Sequence, residues 1–566
     1  MCLESIQQMK NLEHIRFNPL VVGAGLLALP TFSLLISGLI FLCGLSINPF
    51  IFPLAIVGSI ALMYFISEKK HSVFFASTAY TLFFVVLSII VSAIFYDYSY
   101  DGLAYHQEII LLLKNGWNPI YDVHPANAYF IDIVAHYAKG MGTISATIFS
   151  TTGNIEAGKA VNFILAFASA FLFFSFFKKC YETLSFAKKV LLTVLFTLCP
   201  IVIVQIWTFY IDGAGYSMLL ILVTSLICFL RGRSKYDIYI ICLIVFLSIP
   251  VKFNLTFWVV FAISCYLVYL VVTKKYQLFK KLIIACVVSG TLSVLTAGFN
   301  PYITNIRDHH TPFYPLHKEL RGGDEIIYGQ TPLILFDRSR LERVTISLLS
   351  FPNNCPHPQR KTQLANPLSF RPAHLGTRYA PVDMRIGGFG TFFAWILVLS
   401  GALYIAVSKR KNRLEYDVFL TILFIALLIL PHGWWARFVP FFYVFPLVIL
   451  LYSELENRNK FIRNFRNLIY LMLIANIFLL CIAVPKYAQR RKAEVDHVLE
   501  VLSKSKEPVL VNIGNNIGFG IKLQKRNIPH QKTREQLGTS VHIGPTVYFD
   551  CEKYLVENNI LVERKP

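Results

Sequence analysis

Charge is what this chain has least of. Only 15% of its 566 residues are charged, and acids are the scarcer kind, 32 Asp and Glu against 53 Lys and Arg. Soluble domains carry about a quarter charged residues, so an ordinary soluble globule is excluded. Cysteine is present but unpatterned: none of the 11 forms a CxxC or a Cys/His metal spacing. Eight of them (Cys43, Cys180, Cys199, Cys228, Cys242, Cys265, Cys286 and Cys481) lie in or beside apolar runs, where Cys behaves as a small hydrophobe. Cys355 and Cys551 lie in long polar regions and leave a disulfide between them open. The N-terminus lacks the short apolar core and small-residue cleavage site of a signal peptide. No internal repeat of the transporter kind is visible.

What is present is apolar sequence. Hydrophobic residues make up 55% of the chain and the mean hydropathy is +0.56. A membrane span needs roughly 20 apolar residues. About thirteen runs qualify, near 20–45, 49–66, 72–95, 157–177, 190–206, 213–230, 237–251, 254–273, 282–299, 389–408, 417–432, 437–453 and 467–485. The net charge of +21 would ordinarily suggest nucleic acid or an anionic surface. Here the basic residues cluster in short connectors, which points to topology instead. Connectors after even-numbered runs hold 21 Lys and Arg, and the short connectors on the other face hold only Lys252 and Arg437. The positive-inside rule then predicts a cytoplasmic N-terminus and an extracytoplasmic C-terminus.

Three longer pieces fall outside on this reading: a first loop (about 96–156), a large loop (about 300–388) and a tail (486–566). The first loop reads as two short helices. One spans about 102–114, with Asp101 as N-cap, Asn115-Gly116 as stop and a greasy face for the interface. The other spans about 125–139, with Pro125 in its first turn. The large loop is rich in Pro, Gly and His and shows no clear period. The tail alternates apolar residues at 508–513 and 546–549, as a small α/β domain would. The expected organisation is a transmembrane body over 1–485 and a small extracytoplasmic domain over 486–566.

Every conspicuous polar motif converges on the outer face. These are Asp101 in Tyr100-Asp101-Gly102, Asp212 in the turn Trp207–Gly213, Lys252 after Pro250, Tyr314 in Thr311–Leu316, and His432 and Arg437 in His432–Phe438. Ionisable residues at membrane depth are costly and usually functional. Each also has a plainer role. Asp101 could cap a helix, Asp212 could shape a turn with Gly213, and Lys252 and Arg437 could snorkel as anchors. His106 and His432 could be structural, and Tyr105 and Trp117 could pack the loop. Glu108 and Asp122 are weaker acid candidates. Anchors of positive charge on this face, however, run against the charge rule.

Acids and lone cations at one lipid-facing surface suit transfer of a sugar from a polyprenyl phosphate. Arg437 would grip the departing phosphate with a bidentate fork, with Lys252 adding a point charge and His432 a further contact. Asp101 would take the proton of an acceptor hydroxyl, with Asp212 as a second catalytic acid. Tyr105, His106, Trp117 and Tyr314 would line the substrate loops. One base and direct displacement predict inversion at the anomeric carbon.

The pattern resembles the GT-C superfamily of polytopic glycosyltransferases, which includes the protein O-mannosyltransferases and the lipid A aminoarabinose transferases. The resemblance rests on Asp101 early in the first outer loop, Leu112-Leu113-Lys114-Asn115-Gly116-Trp117-Asn118-Pro119 after it, the Asp212 turn and the late Arg437. Its architecture covers about residues 1–490 and its motifs about fifty. It implies an all-α polytopic fold with a GT-C-like arrangement, a first-loop base at Asp101, a polyprenyl-phosphate donor and a phosphate role for Arg437. The acceptor would be a glycan, lipid or protein of the cell envelope, in a bacterial inner membrane, with no nucleic acid. The chain departs from the pattern in lacking directly adjacent acids, since Asp97 and Asp101 are four apart. No cofactor is implied, and use of a divalent metal is left open. Other readings are a polysaccharide polymerase or ligase using Arg338, Arg340, His357, Arg371 and His374, a lipid-linked saccharide transporter with midplane charges, and a structural scaffold.

Overall fold

The structure, a computed structural model, describes residues 18–122, 131–315, 331–350, 382–383, 385–407, 413–430, 432–456, 459–504, 508–512, 517–532, 541–542 and 561–563. Among these, seven helices are long and apolar enough to cross a membrane. They are Pro19–Leu42, His71–Ile94, Ile155–Cys180, Asp212–Leu230, Phe253–Val272, Tyr276–Leu295 and Lys460–Ser503. Four shorter apolar helices accompany them: Ile51–Ile66, Asp237–Ser248, Phe393–Ala406 and Pro440–Leu455. Thirteen apolar runs thus yield seven full-length helices, and proline accounts for part of the difference. The run at 190–206 is split into Phe186–Thr197 and Pro200–Gln205, because Pro200 has no N–H to continue the ladder. Asp237–Ser248 stops just short of Pro250.

Burial sorts the helices into an inner and an outer set. Of the most apolar stretch, 72% is enclosed in Ile155–Cys180 and 78% in Asp212–Leu230, against 22% in His71–Ile94 and 17% in Tyr276–Leu295. The outer helices expose Phe75, Phe83, Val86, Ile284, Val287 and Val288. A band of such side chains would be unfavourable in water and suits lipid. Small residues let the inner helices approach closely. Gly25 faces Met63, and Ser59 Oγ donates to the Gly25 carbonyl at 2.7 Å.

The basic connectors gather at one end of the bundle. Lys70 and Lys235 both reach Glu68, Lys179 reaches Asp237, and Lys188 and Arg466 both reach Glu454. His71–Ile94 starts at that end and delivers Phe95–Asp101 to the other. There the first loop continues as Gly102–His106, Gln107–Lys114, Ile131–His136 and Gly140–Thr152. The expected helix over 102–114 is therefore present, opening with a wide π-type turn. The first part of the expected 125–139 helix lies outside the described residues.

The large loop is less shapeless than its sequence suggested. Ser339 and Glu342 form a reciprocal capping box that starts the helix Arg340–Leu348. His357, Arg371, His374, Cys355 and Cys551 lie outside the described residues, as does the 546–549 segment. The helix Lys460–Ser503 continues past Pro485, so the chain does not leave the helix at the expected boundary. Its 44 residues span about 66 Å, roughly twice a bilayer's hydrocarbon core. Beyond it, strands β1 (Val509–Asn512), β2 (His530–Lys532), β3 (Val541–His542) and β4 (Leu561–Glu563) pair in the order β2-β1-β4-β3. β1 runs parallel to β2 and antiparallel to β4.

Candidate functional site

The site begins with a latch made by Asp97. Its Oδ1 accepts from the Ser99 N–H and hydroxyl, both at 2.7 Å, and its Oδ2 accepts from the Phe209 N–H at 3.1 Å. The Asp97 N–H donates to Glu156 at 2.9 Å, and Glu156 is paired to Lys159 at 2.7 Å and to Lys522 at 3.2 Å. Enclosure pushes the Asp97 carboxyl up to about 6. This buried cluster ties together the first loop, the 207–211 turn and, through Lys522, the helix Ile517–Lys525. A Cβ on Gly102 would fall 1.8 Å from Asp97 Oδ2, so only glycine fits beside the latch.

Ser99, not Asp101, caps the next helix. The Ser99 hydroxyl accepts the Gly102 N–H at 3.2 Å, while Asp101 is already helical (φ −59°, ψ −37°) and makes no capping bond. The N-cap reading of Asp101 is therefore corrected: its carboxylate is turned elsewhere. Arg437 Nη1 donates to Asp101 Oδ2 at 3.1 Å. Arg437 Nε lies 3.1 Å from Asp383 Oδ1, and Arg385 Nε donates to Asp383 Oδ2 at 2.7 Å. Aromatic rings enclose this chain of charges. The Arg437 guanidinium lies 4.7 Å from the Trp435 ring, 5.1 Å from Tyr210 and 5.3 Å from Phe438. Burial opposes the charge on Arg437, but Asp383 and Asp101 outweigh it and hold the group protonated.

Lys252 and Asp212 form a second ion pair beside the first. Lys252 also sits 5.2 Å from the Phe438 ring, the ring that flanks Arg437. Asp212 starts its helix instead of shaping a free turn. Gln205 accepts the Gly213 N–H at 2.8 Å and donates to Asp212 Oδ2 at 3.3 Å. Neither cation is a simple lipid anchor, because both point into carboxylates.

The flanking residues divide. Tyr105 lies against Asp101, to which its hydroxyl hydrogen-bonds, and burial lifts that hydroxyl far above its ordinary range. His106 feels Asp101, Lys252, Asp212 and Arg437 together, and burial holds its imidazole at about 4. Near neutral pH it is therefore an uncharged hydrogen-bonding group, not a cation. His432 stacks obliquely on Phe438 at 6.4 Å, and its carbonyl accepts the Trp435 N–H at 2.9 Å, which shapes the turn presenting Arg437. Trp117 and Tyr314 are placed elsewhere. Trp117 packs in a separate apolar cluster with Ile109, Ile110 and Phe149, and Tyr314 stacks on His309 at 3.6 Å. Asp122 closes its own turn by accepting the Asn118 N–H at 2.7 Å. Glu108 is buried and raised to about 7 by that burial.

Asp383 and Arg385 are the site residues that sequence reasoning missed. They stand in Val382-Asp383-Met384-Arg385-Ile386-Gly387-Gly388-Phe389-Gly390. An acid–base pair two residues apart at the mouth of a glycine-rich return into an apolar run was the available signal. Six formal charges thus meet here: Asp101, Asp212 and Asp383 against Lys252, Arg385 and Arg437. Among the described residues no group of three or more His, Cys, Asp or Glu side chains is placed to hold a metal ion. No family model, curated protein or solved structure matches the chain.

Proposed function

We propose that the chain is an integral membrane glycosyltransferase that moves a sugar from a polyprenyl-phosphate donor to an acceptor hydroxyl. The observation that carries this reading is the contact between Asp101 and Arg437, two residues 336 positions apart. A carboxylate and a guanidinium that neutralise each other at rest can be separated by a phosphate, which competes for the same bidentate fork. The incoming phosphate takes over Arg437, with Asp383 holding the guanidinium from its Nε side. Asp101 is then released as a carboxylate beside the sugar. It accepts the proton of the acceptor hydroxyl while that oxygen bonds to the anomeric carbon. The bond from that carbon to the phosphate oxygen breaks, and its electron pair leaves with the polyprenyl phosphate, whose growing charge Arg437 and Lys252 stabilise. Asp212 keeps Lys252 in position. Direct displacement by one base inverts the anomeric carbon. No nucleotide is required, and a divalent metal is left open.

On this reading the site faces the extracytoplasmic side of a bacterial inner membrane, with about thirteen spans, some formed by short or broken helices, in a GT-C-like arrangement. The tail forms a small α/β domain on the same side. The acceptor is an envelope glycan, lipid or protein. The participation of Asp383 and Arg385 from the large loop favours one second reading, a polysaccharide polymerase or ligase, in which the acceptor is itself a growing glycan.

Purified protein assayed with a panel of polyprenyl-phosphate sugars and a membrane extract tests the proposal. Arg437→Ala should weaken donor binding about 10- to 100-fold, in line with the loss of roughly 1.5–3 kcal/mol from a charge-assisted contact. Unchanged donor affinity would remove Arg437 from phosphate binding. Failure to transfer from every donor in the panel would defeat the function itself.

A further inference from the structure

The far end of the helix Lys460–Ser503 and the helix Ile517–Lys525 close on the segment that carries Asp101. Tyr96 is the centre of that contact. Its hydroxyl donates to Asp496 Oδ1 at 2.9 Å, and Asp496 is also paired to Lys492 and Arg526. The ammonium of Lys522 stands 4.9 Å from the centre of the Tyr96 ring, and that of Lys492 stands 5.6 Å from it. The ring packs against the apolar cluster of Val495, Leu499, Phe519 and Leu523. Two residues on, Tyr98 meets Tyr487 edge-on at 5.0 Å. Tyr96 thus belongs to the first loop by sequence and to the tail by packing. Gly518 lets the tail helix lie directly on Gln107–Lys114, since a Cβ there would fall 1.6 Å from Gln107 Oε1.

Charge ties the same two parts together. Lys522 reaches Glu156 at 3.2 Å, with side chains only 9% and 4% exposed. Glu156 Oε2 accepts the Asp97 N–H at 2.9 Å and faces Lys159 Nζ at 2.7 Å. The buried acids Asp97 and Glu156 are therefore balanced by two lysines, Lys159 from the body and Lys522 from the tail. Without the Lys522 charge, a buried carboxylate is left short of its counter-charge, which a protein relieves by moving or protonating the acid. Either change acts on the backbone at Asp97, which Glu156 holds four residues before Asp101.

Resting on the transferase reading, we propose that Lys522 is a positioning residue: through Glu156 and the Asp97 backbone it sets the place of Asp101 for proton transfer. The tail is then a clamp on the loop that carries the base. A base works only within hydrogen-bond reach of the proton it takes, and a misplacement of about 1 Å costs about 10²-fold in rate. Phosphate binding is spared, because Arg437 and Lys252 are held on other elements by Asp383 and Asp212.

The test uses the full-length protein in detergent and the variants Lys522→Met, Lys522→Arg and Tyr96→Phe. Lys525→Ala, an exposed position on the same helix, is the control. Lys522→Met should lower kcat about 10- to 100-fold at an unchanged KM for the polyprenyl-phosphate donor, and Lys522→Arg should restore most of the loss. Tyr96→Phe removes one hydroxyl and little volume, and should lower kcat about 2- to 10-fold; it decides the matter if Lys522→Met aggregates. Amide hydrogen exchange, which needs no activity, should quicken over residues 97–106 in Lys522→Met and stay at the wild-type rate in Lys525→Ala. Wild-type kcat in both Lys522→Met and Tyr96→Phe, or a rise in donor KM as large as the fall in kcat, would overturn the positioning role. Unchanged exchange over 97–106 would overturn the clamp. A wild-type protein that transfers no sugar would instead defeat the transferase reading, and the exchange result would still decide whether the tail holds the loop.

Discussion

Asp97 and Asp101 sit four residues apart in the same loop and do opposite things. Asp97 is 4% exposed, and both its oxygens are occupied by donors from its own loop and the neighbouring turn. Asp101 keeps an 18% exposed side chain, and Arg437 approaches one of its oxygens from the far end of the chain. A carboxylate saturated by backbone donors can only hold structure, because removing any partner strands a buried group. A carboxylate held by a single long-range cation can exchange that partner for a ligand that competes for the same guanidinium. The same residue type thus becomes a latch or a reagent according to who donates to it.

Four measurements would break or sharpen this contrast. The largest effect is expected for Asp101→Asn, which should lower transfer by about 10²- to 10⁴-fold while melting and donor binding change little. Ordinary turnover in that variant would erase the distinction between the two acids. Asp97→Ala should do the reverse. It strands the Ser99 and Phe209 donors at about 1–3 kcal/mol each, so the melting temperature should drop sharply, and any protein that remains folded should keep donor affinity. Gly102→Ala inserts a Cβ into the latch and should destabilise by about 1–3 kcal/mol. A neutral outcome would mean that the Asp97 carboxylate moves freely.

The fourth measurement is of pH dependence. The folded Asp97 carboxyl titrates at about 6, above its unfolded value of about 3.9. The folded state therefore holds the extra proton between those values. Stability should be highest on the acid side and fall as pH rises through the window, by an amount of order 3 kcal/mol. Asp97→Asn should flatten that segment of a stability–pH curve. An unchanged slope would assign the titration to another group.

Much of this was legible beforehand, and the omissions have physical causes. Helices stand at the apolar runs because a chain in lipid must satisfy its backbone locally. The alternation of basic connectors foretold that Lys70, Lys179, Lys188, Lys235 and Arg466 would share an end. Pro200 and Pro250 were visible, and they mark where one run is divided and another ends. The capping box at Ser339 and Glu342 is readable as Ser-x-x-Glu, although the surrounding loop shows no period. The N-cap role expected of Asp101 belongs to Ser99, two residues earlier. Asp383 could not be ranked from its neighbourhood, since its importance lies in a contact with Arg437.

The sequence by itself determined a largely helical chain with apolar stretches suited to lipid, and the clustering of its basic connectors. Those follow from interactions within a few residues and from the solvent each residue type prefers. Only the tertiary structure decided which acid meets which cation. Asp101 and Arg437 are 336 residues apart, and ion pairing depends on distances of a few ångströms that no local pattern encodes.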